Sequence, residues 1–470
     1  MLPKDTIGNN SFLIFMKITF VQPSVNYAYD EKQTCLNPAC QEPPLGLAYL
    51  SACLLEYKND LQIEIIDGVY LSQDEYHDKI VNIKSDIVGV STTMSQLGQA
   101  LMIPYMAKDY STRFIIGGSG VVNLPSSRLY ESGYSVICYG EGERTVVELV
   151  HAFENGLPLE YIKGISYLNE GREVKTPPRE PIENLDEIPF PARDLLGMEK
   201  YISIWKENMG VRFVSTISSR GCPFSCRFCD KTTFGDKIRF ISPSRMIEEM
   251  KLLYNRYGAE LVYFEEDLFT LNRKRVLEFC RLMEKELPGK MWGALSRVDT
   301  IDKEMLARMK HAGCTHLTFG VESGSQKILD LLGKRITVEQ IVNAFQWVKD
   351  VGIKAGLFLI IGVPGETKED LEMTKRIIAK LEPALIEVSY LTPIPGTEIY
   401  EMTKHLIRDD VDLTNYNLIE SVYRRDIFDA ELREKEREII DLACRLRPSD
   451  FWSGEQELEN VGSVGKGDYC

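Results

Sequence analysis

Between residues 17 and 155 short apolar runs alternate with longer stretches of helical periodicity. The apolar runs, at 17–22, 61–67, 86–91, 113–117 and 134–139, read as buried strands. The stretches between them, at 45–57, 72–84, 96–110 and 144–154, repeat their apolar positions at helical spacing. This alternation predicts an α/β domain, a Rossmann-like, doubly wound parallel sheet. Such sheets take their ligands beyond the carboxyl ends of the strands. Three of those ends are small or polar: Ser91-Thr92-Thr93, Gly117-Gly118-Ser119-Gly120 and Gly140-Glu141-Gly142-Glu143. The last opens a helix, whose unbonded N–H groups favour an anionic or carbonyl-bearing ligand. Taken singly, each is more simply a tight strand-to-helix turn.

Residues 162–168 and 172–176 predict a small hairpin around Asn169-Glu170-Gly171. A proline-punctuated tract follows, with Pro177, Pro178, Pro181, Pro189 and Pro191, and suits an extended connector. Strand patterns then recur at 212–217, 261–265, 291–296, 315–321, 353–361 and 385–391. Helices are expected to begin near Pro243, Asn272, Lys303, Gln326, Val338 and Thr367. Thr270, Asp302 and the Thr337/Gln340 pair are the expected caps. Six parallel strand–helix units make a partial (β/α)6 barrel, with its chemistry at the carboxyl strand ends. The expected division is a domain at 1–155, a hairpin and linker at 156–205, a barrel at 206–400 and a helical segment at 401–470.

The 470 residues are too many for one ordinary core, and 44% hydrophobic with 27% charged residues describes a soluble globular chain. The net charge of −15 argues against general nucleic-acid binding. The run 11–21 is short and interrupted by Lys17, so no transmembrane segment is expected. Eleven cysteines in a chain of this length do not suggest a disulfide framework, and a cytoplasmic, reducing compartment is expected. Cys53, Cys138, Cys280 and Cys314 fall in apolar patterns that suit buried thiols. Cys222, Cys226 and Cys229 do not: they follow a strand, in the pattern C-x3-C-x2-C. A zinc site would need further ligands at a distance, and no Cys or His pair with that spacing follows. Three thiolates on one loop suit a 4Fe–4S cluster with one iron left open.

The stretch Arg220-Gly-Cys222-Pro-Phe-Ser-Cys226-Arg-Phe-Cys229 resembles the signature of the radical S-adenosylmethionine (SAM) enzymes. In that family the open iron is chelated by the methionine part of SAM, and reductive cleavage yields a 5′-deoxyadenosyl radical. The strand ends resemble the family's SAM site. Glu265-Glu266-Asp267 occupies the place of the Gly-Gly-Glu segment that holds the SAM ammonium, and this chain departs from its glycine form. Ser296-Arg297 follows the third strand, with Arg297 suited to the SAM carboxylate in a forked geometry. Glu322 and Ser323 match the ribose segment, Gly362 opens the adenine-side segment, and Phe228 is expected against adenine.

The N-terminal part resembles the cobalamin-binding domain of one branch of these enzymes, chiefly in residues 43–50 and 140–143. The resemblance implies cobalamin contacts from Ser91, Thr92, Thr93, Gly117, Gly118, Ser119, Gly140, Glu141 and Gly142. No Asp-x-His-x-x-Gly loop follows the first strand, so the cobalt is expected without a histidine ligand, its lower face covered by residues 91–97. His77 falls on an amphipathic helix and reads as surface. In this branch the C-terminal segment often closes the barrel mouth.

The resemblance implies a class B radical SAM C-methyltransferase using a 4Fe–4S cluster, SAM and cobalamin. Its substrate would be a small molecule or a peptide, and its electrons would come from a flavodoxin or ferredoxin. The alternatives are cyclisation or rearrangement without methyl transfer, and a non-catalytic cluster- or cofactor-binding protein.

Overall fold

A computed structural model describes residues 16–24, 42–107, 111–266, 268–412, 416, 418, 420–424 and 430–446. The first sheet contains β1 (Lys17–Gln22), β2 (Gln62–Asp67), β3 (Ile87–Ser91), β4 (Arg113–Gly117), β5 (Val136–Cys138), β6 (Ile165–Asn169) and β7 (Arg172–Lys175). Its order is β2-β1-β3-β4-β5-β6-β7, and its first five strands are parallel. The parallel part is the flavodoxin-like order. α1 (Leu45–Tyr57) and α5 (Glu143–Asn155) share one core with Ile18, Phe20, Ile87, Ile115 and Val136. α2 (Gln73–Val81), α3 (Leu97–Ala107) and α4 (Ser126–Glu131) share the opposite core with Val88, Val90, Ile116 and Ile137. Strands buried on both faces are the reason these runs are continuously apolar.

The expected hairpin forms, but not as part of a linker. β6 pairs antiparallel with β5, and β7 with β6, so the hairpin extends the first sheet. A two-residue turn with positive φ at Glu170 and Gly171 suits the twist of the pair. β5 would otherwise be an open edge, and Ile165 is fully buried against it. The N-terminal unit therefore runs to about residue 175. The connector is also firmer than its prolines suggest. Ile182, Leu185, Ile188 and Leu196 join Ala48 and Tyr49 in the same hydrophobic cluster as the barrel core. α6 (Met198–Met209) then leads into the barrel.

The barrel sheet has the order β15-β14-β13-β12-β11-β8 and every neighbour is parallel. Its strands are β8 (Phe213–Thr216), β11 (Leu261–Phe264), β12 (Met291–Ser296), β13 (Cys314–Glu322), β14 (Lys354–Ile361) and β15 (Leu385–Tyr390). β9 (Ser219–Arg220) and β10 (Arg239–Phe240) form a short antiparallel ribbon at the two roots of the cysteine loop. α7 (Pro243–Arg256), α8 (Arg273–Glu286), α9 (Lys303–His311), α10 (Gln326–Leu331), α11 (Val338–Asp350) and α12 (Lys368–Leu381) follow the strands as expected. Asp302 and Thr337 cap their helices. Thr270 does not: Asn272 accepts from Arg275 N, while Thr270 bonds to Ser296 and Thr300. Trp205 of α6 plugs the barrel floor with Phe213, Leu261, Tyr263 and Leu385.

α13 (Glu398–Thr403) and α14 (Ala430–Arg445) complete the chain, α14 lying against α12 and β15. Among the described residues no helix is long and apolar enough to cross a membrane.

Candidate active site

The cysteine loop is pinned at several points. Arg227 N donates to Leu332 O (2.9 Å), Ile399 N donates to Arg227 O (3.0 Å), and Lys231 Nζ donates to Phe224 O. Arg227 Nε also pairs with Glu398 at 2.8 Å. The three thiols are partly exposed on this loop, at the carboxyl end of the barrel sheet. Among the described residues no three His, Cys, Asp or Glu side chains converge on a single metal-ion position. Thiolates of a four-iron cluster each bind a different iron, so a loop that spreads three of them fits a cluster better than a lone ion.

The two acids after β11 have separate environments. Glu266 is 5% exposed, accepts from Ser218 N and Ser218 Oγ (2.9 Å), and has Arg275 Nη1 at 4.0 Å. It anchors the root of the cysteine loop, so it is not available to a SAM ammonium. Burial pushes its carboxyl up, and Arg275 and the Ser218 bonds act against that. Glu265 instead lines the barrel interior, where burial and the nearby Glu387 push its carboxyl up to about 8. Asp267 lies outside the described residues.

Arg297 is only 4% exposed and its fork is already taken. Nε and Nη2 donate to Asp299 at 2.9 and 3.0 Å, and Nη2 also donates to Lys334 O at 3.0 Å. Its guanidinium stacks on Phe224 at 3.8 Å, with Nη1 3.8 Å from Cys226 Sγ. Arg297 thus braces the cysteine loop, and forked capture of a carboxylate would require it to release Asp299. Ser296 Oγ is turned into a buried hydroxyl cluster with Thr270.

Glu322 ends β13 at a register shift with φ +67°, and its Oε1 meets Lys334 Nζ at 2.6 Å. Lys334 neutralises this carboxylate while leaving Oε2 to accept from another donor. Ser323 Oγ accepts from Ser325 N and faces Thr374 at 3.3 Å. Gly362 N donates to Glu366 Oε2 at 3.0 Å, and a Cβ there would meet the Tyr390 ring at 2.7 Å. Phe228 is half-buried and packs against the barrel core.

The carboxyl edge of the first sheet meets this loop directly. Glu141 and Glu143 are buried and point at the barrel, not along their own edge. Glu141 Oε1 pairs with Arg239 Nη1 (2.8 Å) and Arg220 Nη1 (3.3 Å), while Oε2 accepts from Ile182 N at 2.6 Å. Glu143 pairs with Arg220 Nη2 at 2.6 Å. Glu141 is therefore committed within the protein. Thr92 is also inside, its N–H donating to Gly117 O at 3.0 Å.

Ser91, Thr93, Gly117, Gly118, Ser119 and Gly140 remain accessible along the edge. Gly118 has φ +97° and a Cβ there would lie 2.4 Å from Thr92 O, so glycine lets two strand-end loops touch. At Gly140, φ +76°, nothing lies within 4 Å of a Cβ, leaving room for a flat ligand to approach the backbone. At Gly142 the nearest group is Leu50 on α1, 3.0 Å from a Cβ, so that glycine serves helix packing. The turn at 93–96 is held by a capping box and by Gln96 Nε2 donating to Pro23 O at 2.9 Å. His77 is exposed on α2. The segment 25–41 after β1, where a cobalt-ligating loop would begin, lies outside the described residues.

Comparison with known proteins agrees with this architecture. The family model of the radical SAM superfamily matches residues 216–378. An uncharacterized methyltransferase of Pyrococcus horikoshii is 36% identical over 418 residues, covering 86% of this chain and 88% of the relative. The chain belongs to the radical SAM methyltransferases. The anaerobic magnesium-protoporphyrin IX monomethyl ester cyclase of Rubrivivax gelatinosus is 29% identical, covering 88% of this chain and 74% of the relative. The structure of the cobalamin-dependent SAM radical enzyme OxsB, with aqua-cobalamin and SAM bound, superposes with a TM-score of 0.70 at 19% identity, covering 91% of this chain and 67% of that one. That likeness is one of fold.

Within this radical SAM methyltransferase, sequence reading missed the partners that make the site work. Lys334 sits beside Glu322, and Asp299 occupies the fork of Arg297. Arg220 and Arg239 receive the acids of the first sheet. Glu42 and Glu387 lie near Glu265. Only Arg220 had a local signal, standing two residues before the first cysteine.

Proposed function

We propose that this protein is a cobalamin-dependent radical SAM C-methyltransferase acting on an unactivated carbon of a small-molecule or peptidyl substrate. The observation that supports it most is the junction of the two domains. The root of the cysteine loop, at Arg220, is ion-paired to the turn that opens α5 at the carboxyl edge of the first sheet. Cofactors held at the two edges would therefore face one cavity. When bound, the cluster and SAM supply a hydrogen-abstracting radical, and cobalamin supplies a methyl group.

Cys222, Cys226 and Cys229 would hold the cluster. Glu265 would accept from the SAM ammonium, and Glu322, charge-balanced by Lys334, from the ribose hydroxyls. Arg297 positions the cysteine loop from behind. Ser91, Thr93, Gly118 and Gly140 offer the accessible backbone and side-chain surface for cobalamin. α14, packed against α12 and β15, would close the rim over a substrate. A cytoplasmic location and a flavodoxin or ferredoxin as reductant complete the proposal.

The deciding experiment is anaerobic incubation of the reconstituted protein with methyl-deuterated SAM, a strong reductant and candidate extracts. A product carrying the deuterated methyl group is expected. Cleavage of SAM with a rearranged, unmethylated product would favour the second reading, cyclisation, which the similarity to the Rubrivivax cyclase supports.

A further inference from the structure

Arg297 begins a short turn after β12, which Thr300 closes by donating from N and Oγ1 to Arg297 O at 3.2 and 3.0 Å. A guanidinium has five N–H donors on three nitrogens. Two of the nitrogens spend theirs on oxygen. Nε meets Asp299 Oδ1 at 2.9 Å, and Nη2 meets Asp299 Oδ2 and Lys334 O, both at 3.0 Å. The Lys334 carbonyl is itself held just past α10, because Lys334 N donates to Leu329 O at 3.0 Å. One face of the guanidinium lies on the Phe224 ring, 3.8 Å from its centre. The fork fixes the group in its plane and the ring fixes it out of plane. The remaining nitrogen, Nη1, is thereby directed at Cys226 Sγ, 3.8 Å away.

The cations within the cysteine loop are directed at oxygen instead. Arg227 Nη1 donates to Leu331 O at 3.0 Å, Lys231 Nζ to Phe224 O, and Lys237 pairs with Glu183 at 2.6 Å. Arg297 comes from outside the loop, is 4% exposed, and turns its last donors to sulfur. The sulfur of a neutral thiol is a weak acceptor. Aiming a buried guanidinium at one gains little against the cost of burying the charge. The same sulfur as an iron-bound thiolate carries negative charge, and the contact becomes a charge-assisted hydrogen bond.

We propose that Arg297 sets the reduction potential of the cluster held by Cys222, Cys226 and Cys229, and that Asp299 tempers its effect. This rests on the cluster reading above and adds to it a residue that governs electron uptake. One electron enters on reduction, and no bond is made or broken at Arg297. The added negative charge is shared with the sulfur ligands, so a fixed positive donor at one of them favours the reduced form over the oxidised one. Hydrogen bonds to sulfur, net charge and solvent exposure are the quantities that set such potentials. Buried charges at this range are little screened by salt. Arg297 therefore raises the potential, and the Asp299 carboxylate lowers it.

The test uses the full chain, reconstituted anaerobically with iron and sulfide and kept free of SAM. It is titrated with titanium(III) citrate and mediator dyes, and the reduced cluster is followed by electron paramagnetic resonance. Signals are normalised to iron and sulfide content, so partial loading does not move the midpoint. Arg297→Gln removes the charge and keeps an amide donor. It should lower the equilibrium constant for reduction about ten-fold or more, a fall of about 59 mV for one electron. Asp299→Asn keeps the side-chain shape and removes the opposing charge, and its midpoint should rise. A role confined to bracing the loop would alter loading and leave both midpoints at the wild-type value. The proposal is overturned if Arg297→Gln stays within about two-fold of wild type, about 18 mV, or if Asp299→Asn moves downwards or not at all. If Arg297→Gln takes up no cluster, the direction of the Asp299→Asn shift decides alone. A wild-type chain that takes up no four-iron cluster would overturn the cluster reading and this proposal with it; normal uptake with unmoved midpoints would overturn this proposal alone.

Discussion

Removing Arg220 tests whether the two domains are held by a buried charge network. Arg220 is 5% exposed, contacts Glu143 at 2.6 Å and Glu141 at 3.3 Å, and lies over the rings of Tyr49 (5.5 Å) and Phe234 (5.2 Å). In Arg220→Ala, Glu141 keeps Arg239, but Glu143, 7% exposed, loses its ion-pair partner. Breaking a buried pair from one side costs about 3–5 kcal/mol, because the remaining charge stays desolvated. The rescued half of the network puts the expectation at the lower end, about 3 kcal/mol, and the two ring contacts add about 1 kcal/mol. The reference is Lys349→Ala, at a pair with Glu382 whose side chains are 64% and 66% exposed, expected to cost under about 1 kcal/mol.

Both variants would be followed by urea denaturation of the apoprotein, with domain unfolding monitored separately to detect uncoupling. Adding Glu143→Gln to Arg220→Ala removes the stranded charge and should recover about half of the loss. If Arg220→Ala unfolds within about 1 kcal/mol of Lys349→Ala, or if Glu143→Gln restores nothing, the network does not hold the domains in the way argued.

Three further outcomes are expected. Cys222→Ala, Cys226→Ala and Cys229→Ala should each lose the visible absorption of the cluster, and Arg297→Ala should lower cluster loading as well, because it braces Cys226; full loading of Arg297→Ala, assayed by iron and sulfide content, would contradict that role. Gly118→Ala should cost more than about 2 kcal/mol, combining left-handed strain with a clash on Thr92 O. Gly140→Ala should cost only about 1 kcal/mol because it has the strain without the clash, and thermal melts of the two check the difference. Glu265 has its carboxyl raised to about 8 from an ordinary 4.5, chiefly by burial, so the folded chain holds this proton more tightly than the unfolded one. Its contribution is fully present below about pH 4.5 and is lost as pH rises through about 8. The melting temperature should thus fall between about pH 6 and 8.5, and Glu265→Gln should raise it at the upper end; a wild-type curve flat over that window would refute the assignment.

The alternation of strands and helices was legible along the chain because periods of two and 3.6 residues, caps and turns are local properties. β1, β4, β12 and α1 have the boundaries their patterns imply. The C-x3-C-x2-C spacing of Cys222, Cys226 and Cys229 was equally legible, since spacing along one loop is a local property. Which side chains are spent on the fold was not. Arg297 has the fork to hold a carboxylate, but the turn after β12 fills it with Asp299. Glu141 looks like a cofactor contact in its motif, yet the barrel supplies Arg239 and Arg220 to it. Glu266 and Glu265 are adjacent, and the pleat sends one to Arg275 and the other into the lumen. The hairpin at 165–175 was visible as a hairpin, but only the open edge of β5 decided that it belongs to the first sheet. Glu42 and Glu387 stand near opposite ends of the chain and become neighbours only when the barrel closes on the N-terminal domain. Charge compensation acts through space and not along the backbone, so the sequence determines which groups are charged, and only the tertiary structure decides which of them are left for a ligand.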